Sequence, residues 1–274
     1  MYRLLLTLVL ALLSGCATGP AIDRTYTAVS QDSRVQFLIL HYTVGDFPSA
    51  LNELMGRRAS SHYLVNDNPP VIYQLVDENR RAYHAGVSSW SGQGSLNAAS
   101  IGIEIVNPGY RETPQGRIYF EYPREQIDAV LALVKKIVAE HAIRPDRVLG
   151  HSDIAPQRKV DPGPLFPWKR FADEGLILWP RPELVSLATP QYEQQLPGID
   201  WFQQMLSRFG YAVPLNGQLD EATVNVIAAF QMKYRPARFD GMPDAETAAM
   251  LEVLTAPSGT MSDKVARLPG LPGR

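Results

Sequence analysis

Gly150-His151-Ser152-Asp153-Ile154-Ala155-Pro156-Gln157-Arg158-Lys159-Val160-Asp161-Pro162-Gly163 places an imidazole, a lysine and a carboxylate in one segment that closes on Pro and Gly. Far upstream, the apolar run Phe37-Leu38-Ile39-Leu40 ends at a second histidine, His41. Two histidines and one carboxylate are a standard protein ligand set for catalytic zinc, with a fourth position left for water. Such a site generates a hydrolytic nucleophile near neutral pH. Neither histidine stands at an i, i+4 spacing from another ligand. A histidine ending a buried strand is either a satisfied core residue or a metal ligand, and local periodicity leaves both readings open.

Around these residues the chain alternates strand-like and helix-like patterns. Residues 35–41, 62–65, 71–76, 101–106 and 147–150 are short, rich in Val, Ile and Leu, and bounded by Gly, Pro, Asn or Asp. The runs 37–40 and 101–105 read as strands buried along most of their length. Helical spacing of Leu51, Leu54 and Met55 marks residues 48–58. Residues 123–142 form the clearest helix, with Ile127, Val130, Leu131, Val134, Ile137 and Val138 on one stripe, and 167–172 read as a short closing helix. The predicted fold is α/β, a mixed central sheet flanked by helices over residues 33–178. Residues 179–198 hold four prolines and no sustained period, and read as a linker. Apolar stripes at Trp201, Met205, Leu206 and Phe209, at Val224, Ile227 and Phe230, and at Met250, Leu251 and Leu254 then predict a three-helix module over 199–255. Asp220 and Asp244 are its expected N-caps. Residues 256–274, with Pro, Gly and Ser, read as a disordered tail.

The first residues carry an address. Arg3 precedes an apolar run from Leu4 to Leu13, too short to span a bilayer comfortably. Leu13-Ser14-Gly15-Cys16 follows and contains the chain's single cysteine. This pattern resembles a bacterial lipobox, which implies a signal peptide over 1–16, cleavage before Cys16 and lipidation of its sulfur. Several acyl chains anchor durably where one does not. Residues 17–32, small and polar, read as a tether. Ala17 after the cysteine implies sorting to the outer membrane of a Gram-negative cell, facing the periplasm. A lipidated Cys16 leaves no thiol for a disulfide or a metal. The formal net charge of −2 gives no sign of nucleic-acid binding, and an apolar fraction of 45% suffices for a packed core.

Five separated blocks then occur in order: Leu38-Ile39-Leu40-His41-Tyr42-Thr43, Ser61-His62-Tyr63-Leu64-Val65, Ala82-Tyr83-His84-Ala85-Gly86, Asn97-Ala98-Ala99-Ser100-Ile101-Gly102-Ile103-Glu104, and the segment 150–163. Together they resemble the zinc-dependent N-acetylmuramoyl-L-alanine amidases of the type-2 class, in particular their outer-membrane lipoprotein subgroup. The resemblance covers residues 34–178. It implies Zn2+ held by His41, His151 and Asp161, with Glu104 as the catalytic glutamate and Lys159 beside the developing oxyanion. A glutamate inside Ile101-Gly102-Ile103-Glu104-Ile105 is costly to bury unless paired or functional, which supports the assignment; the other reading is an edge-strand residue facing solvent. Ser61 stands where some relatives carry a tyrosine, which argues against a tyrosine role there. His62 and His84 either organise the metal's surroundings or are structural. His141 ends the long helix and would complement its dipole. Trp90, Asn97 and Asn107 are candidates for the border of a substrate groove, and residues 108–122 are either a groove wall or a surface loop.

Leu215-Asn216-Gly217-Gln218-Leu219-Asp220-Glu221-Ala222-Thr223, Ala228-Ala229-Phe230-Gln231-Met232 and Phe239-Asp240-Gly241-Met242-Pro243-Asp244-Ala245-Glu246-Thr247 resemble a peptidoglycan-binding domain of type 1. The implied partners are peptidoglycan and muropeptides, and a membrane through Cys16. The implied reaction is hydrolysis of the amide between N-acetylmuramic acid, or its 1,6-anhydro form, and the L-alanine of the stem peptide. The alternatives are a non-catalytic recognition protein, disfavoured by the presence of both Glu104 and Asp161, and a tether joining outer membrane to wall.

Overall fold

The computed structural model describes residue 20 and residues 22–256. Residues 22–32 are exposed and carry no helix or strand. The expected signal peptide, Cys16 and residues 257–274 lie outside the described residues. No helix among those described is long and apolar enough to cross a membrane.

From β1 (Phe37–Tyr42) the chain passes through α1 (Phe47–Leu54), β2 (Tyr63–Val65) and β3 (Ile72–Gln74) to a small ribbon of β4 (Ser89–Trp90) and β5 (Gln93–Gly94). There follow β6 (Ser100–Ile105), a hairpin of β7 (Tyr110–Thr113) and β8 (Gly116–Tyr119), α2 (Arg124–His141), β9 (Val148–Gly150), α3 (His151–Ile154) and α4 (Trp168–Asp173). The last four helices are α5 (Pro182–Gln194), α6 (Ile199–Phe209), α7 (Glu221–Tyr234) and α8 (Ala245–Thr255). The five segments expected as strands form the central sheet, in the order β3-β2-β6-β1-β9. Pairings within β2-β6-β1-β9 are parallel, and β3 is an antiparallel edge.

Alternation along β1 sends its side chains to two different cores. Leu38 and Leu40 join Ile101, Ile103 and Ile105 of β6 under α2 and α4, where Ile127, Val130, Val134, Ile137, Trp168 and Phe171 cover them. Phe37 and Ile39 point the other way, into a core completed by Phe202, Leu206, Val226, Phe230 and Leu251 of the C-terminal helices. The helical region therefore shares this core with the sheet, meeting the catalytic region at α3, and every described residue from Ser33 onward belongs to one contact unit.

Two expectations change here. The proline-rich segment 179–198 is not a linker: residues 182–194 are helix α5, packed chiefly on α8. Pro182 sits in its first turn, where the missing N–H would be unpaired anyway. Pro180 and Pro197 lie outside the helix, so only Pro190 interrupts its ladder. Burial of Leu184 and Val185, with Ala188 and Tyr192 against the same core, overrides that local cost. The C-terminal region thus has four helices where three were expected. Secondly, His141 does more than complement a helix end, since its Nε2 lies 2.6 Å from Glu78 Oε2 and its Nδ1 2.8 Å from Ser33 Oγ.

Asp220 and Asp244 cap α7 and α8 as expected, each accepting from the N–H of the threonine three residues on at 2.8 Å. Each threonine hydroxyl also receives a buried glutamine, Gln203 at 2.9 Å and Gln231 at 3.0 Å, whose oxygen accepts Gly217 N–H or Gly241 N–H. These two matching polar clamps fix the turns of the helical layer.

A shared core predicts joint unfolding. Phe202→Ala, at a fully buried position of the layer, is expected to lower stability by about 3–5 kcal/mol. Calorimetry should show one transition for sheet and helices together; two separate transitions would oppose the shared core.

Candidate active site

The parallel register sets His41 directly beside Glu104, and Leu40 beside Gly150, which leads straight into His151. His41 and Glu104 share the sheet face of Ile39 and Gly102, by alternation. All three stand at the C-terminal ends of parallel strands, where open α/β sheets place their ligands. A cavity of about 230 Å3 opens there, lined among others by His41, His84, Glu104, His151, Lys159 and Asp161. Every residue assigned from the sequence to metal or catalysis lines it.

Three ligand atoms converge. His41 Nδ1 and His151 Nδ1 are 3.0 Å apart, and each lies 3.1 Å from Asp161 Oδ2. A tetrahedral ion with bonds of about 2 Å has ligand–ligand edges of about 3.3 Å, close to this triangle.

The surrounding hydrogen bonds decide where the protons lie. Leu96 C=O accepts the single proton of Ser100 Oγ at 2.7 Å. Ser100 Oγ therefore accepts from His84 Nε2–H, at 3.1 Å. His84 Nδ1, now a bare lone pair, accepts His41 Nε2–H at 3.0 Å, which leaves His41 Nδ1 bare towards Asp161. On the other side, Ala85 C=O lies 3.2 Å from His151 Nε2 and must receive its proton. The two N–H groups of Arg158 Nη2 go to the Ala85 and Val87 carbonyls and leave none for that nitrogen. His151 Nδ1 is the ring nitrogen that faces Asp161. Burial, followed by the neighbouring His151, lowers His41 to about 4, so the ring is neutral near pH 7. The Nδ1 atoms of two imidazoles and one carboxylate oxygen thus face a single point. The donor set fits a divalent cation of the zinc type.

Glu104 is partly exposed as a residue, but its Oε2 is buried and has no hydrogen-bond partner. Burial, and after it the negative charge of Asp161, raises its carboxyl well above the usual range, while Lys159 acts in the opposite direction. That is the condition of a carboxyl available for proton transfer.

The remaining candidates sort by their contacts. His62 is structural: its Nδ1 accepts Gly102 N–H at 3.0 Å and its Nε2 faces Arg80 C=O at 3.0 Å, outside the cavity lining. Ser61 Oγ donates to Gly102 C=O at 2.8 Å and is fully buried. Trp90, Asn97 and Asn107 do not line the cavity. Trp90 is in the core shared with the helical layer, and Asn107 anchors the hairpin through Gly109 N–H at 2.7 Å. Asn97 Oδ1 accepts the N–H groups of His84 and Ala85 at 3.0 and 2.8 Å, which sets the His84 backbone. Residues 108–122 hold the β7–β8 hairpin, and its Arg117 and Tyr119 wall a second cavity that Lys159 also lines. His84 is the residue whose role the sequence leaves open and the structure defines. Its signal is Gly102, because any Cβ there would overlap the His84 ring.

A sheet ending in three convergent ligand atoms and an unpartnered carboxylate is the architecture of a metal-dependent hydrolase. The sequence profile of the N-acetylmuramoyl-L-alanine amidases matches residues 31–164, and that of a putative peptidoglycan binding domain matches residues 195–251. The chain is 39% identical over 259 residues to the N-acetylmuramoyl-L-alanine amidase AmiD of Escherichia coli K12, covering 89% of this chain and 93% of AmiD. AmiD in complex with the substrate anhydro-N-acetylmuramic acid-L-Ala-D-gamma-Glu-L-Lys superposes with a TM-score of 0.78 at 38% identity, covering 86% of this chain and 94% of that one. AMPDH3 of Pseudomonas aeruginosa in complex with anhydromuramic pentapeptide gives a TM-score of 0.79 at 36% identity, covering 86% and 97%. The chain belongs to the N-acetylmuramoyl-L-alanine amidase family and is an amidase.

The proton chain makes His84 a ligand-orienting residue. His84→Ala is expected to weaken zinc binding by about 10–100-fold, measured by competition with a chromophoric chelator. Unchanged affinity in the folded variant would break the chain of tautomers described above.

Proposed function

We propose that this protein hydrolyses the amide between the lactyl group of N-acetylmuramic acid, including its 1,6-anhydro form, and the L-alanine of the stem peptide, with zinc held by His41, His151 and Asp161. The carrying observation is the meeting of His41 Nδ1, His151 Nδ1 and Asp161 Oδ2 within 3.1 Å of one another, beside the buried, unpartnered Oε2 of Glu104. Zinc held by these three residues would supply an activated water and a Lewis acid for the scissile carbonyl. Glu104 accepts the attacking water's proton at Oε2 and returns a proton to the departing alanine nitrogen. Its raised proton affinity suits both transfers. Lys159 brings a positive charge to the cavity wall, where the carbonyl oxygen gains negative charge. His84 holds the His41 tautomer throughout, and takes no proton from the substrate. The anhydromuropeptides bound by AmiD and AMPDH3 support this substrate class.

The test is release of a stem peptide from a soluble anhydromuropeptide, with and without a chelator. Chelation and Asp161→Ala should each abolish release, and Glu104→Ala should retain zinc while turnover collapses. Release that survives both metal removal and Asp161→Ala would sink the zinc mechanism. Absence of release under any metal condition would favour a recognition or tethering protein.

Lipidation of Cys16 and residence at the outer membrane, facing the periplasm, are part of the same proposal, as is wall attachment through residues 195–251. The lipobox pattern supports the first, and the match to a peptidoglycan binding domain supports the second. Cys16→Ser should move the protein from the membrane fraction to the soluble fraction. A wild-type protein found only in the soluble fraction would refute the anchor.

A further inference from the structure

Asp153 lies two residues after the ligand His151 and is almost completely buried, with a side chain 1% exposed. Its carboxylate collects three donors. Oδ2 accepts Gly150 N–H at 2.8 Å and Lys233 Nζ at 2.7 Å, and Oδ1 accepts Tyr211 O–H at 2.6 Å. Only Gly150 belongs to the catalytic layer. Lys233 is on α7, and Tyr211 is in the turn after α6, so two of the three donors come from the C-terminal helical region.

Helix α3 has four residues, His151–Ile154, and is too short to hold its own conformation. Its geometry comes from outside contacts. Ser152 N–H reaches Asp161 C=O at 2.9 Å, and Asp153 closes the turn onto Gly150. Gly150 itself has no room to shift, because a Cβ there would come within 2.8 Å of Pro162 and 3.2 Å of Trp168. Lys233 is 5% exposed, and its ammonium lies 4.2 Å from the centre of the Trp168 ring and 3.4 Å from Val148 C=O. It therefore touches β9, α3 and α4 at once, and both of its strong contacts bear on the segment that aims His151.

We propose that the C-terminal helical layer is a positioning element of the metal centre: Lys233 and Tyr211 hold Asp153, and Asp153 fixes the turn that directs His151 Nδ1 at the ion. The proposal rests on the zinc reading of the site, and it assigns the layer a role besides wall attachment. Lys233 and Tyr211 touch neither substrate nor metal, so they are positioning residues.

Zinc affinity of the apo full chain, read by chelator competition, tests this without any substrate. Lys233→Met and Tyr211→Phe, shown to be folded by near-UV circular dichroism, are each expected to bind zinc about tenfold more weakly, as partners that orient metal ligands do when lost. On a soluble anhydromuropeptide, kcat should fall while KM stays unchanged. Gln203→Ala, which breaks a polar clamp of the same layer away from Asp153, should lower the melting temperature and leave zinc affinity intact. Where Lys233→Met fails to fold, because a lone Asp153 charge is then buried, the neutral pair Asp153→Asn/Lys233→Met takes its place with the same expected loss of affinity. Wild-type zinc affinity in the folded variants overturns the proposal, and so does an equal loss in Gln203→Ala. A wild-type chain that binds zinc but releases no peptide would refute the proposed reaction, while the zinc arm would still decide the positioning role.

Discussion

All six residues of β1 are buried, and the sheet must be covered on both faces at once. The catalytic region covers one of them with α2 and α4 over Leu38 and Leu40, and on the other its α1 packs only on Leu64 and Val106. Phe37 and Ile39 lie on that other face, in a core that Leu96, Ala99 and Ile154 share with the C-terminal helices. Burying apolar surface at roughly 25 cal/mol per Å2 makes this arrangement strongly favourable over two independent domains. A helical region of about sixty residues also folds only marginally alone. The two halves of the chain solve each other's packing problem.

The same alternation that buries Phe37 and Ile39 brings His41 to the helical-layer side of the sheet, past the edge of that cover. There the chain stops packing carbon against carbon and assembles acceptors. Leu96 and Ala85 carbonyls, each able only to accept, draw the imidazole protons away from the centre. A group of lone pairs is unfavourable in a folded core until a cation joins it. Metal binding then becomes linked to the stability of the site, since the ion binds the folded arrangement and not the unfolded chain.

Much of this is legible in the sequence, because it is carried by short-range pattern. The five strand runs, the long α2 stripe, the Asp220 and Asp244 caps and the blocks carrying His41, Glu104, His151, Lys159 and Asp161 all depend on period or motif. Residues whose meaning lies in a distant partner are not legible in this way. Pro180, Pro182, Pro190 and Pro197 mark residues 179–198 as a linker by composition, and only the tertiary burial of Leu184 and Val185 makes a helix of them. His84 acts through the Nε2 of a residue more than forty positions away, and only Gly102 hints at the ring above it. Asp153 sits inside the most informative segment of the chain, yet its partners, Tyr211 and Lys233, are 58 and 80 positions distant.

The Asp153–Lys233 pair also explains why the layers meet through charge as well as apolar contact. Burying two ions is expensive, and a well-packed apolar pair of similar volume is often at least as stable. Losing one partner, by contrast, costs about 3–5 kcal/mol. Such a pair contributes more to geometry than to net stability. Apolar surfaces tolerate small slides against each other, whereas a carboxylate gripped by three donors at 2.6–2.8 Å does not. A metal ligand needs that kind of restraint, because the Nδ1 of His151 must stay within bonding reach of an ion it shares with His41 on another strand. The helical region that shares the core of β1 is also the source of the two donors that hold the His151 turn.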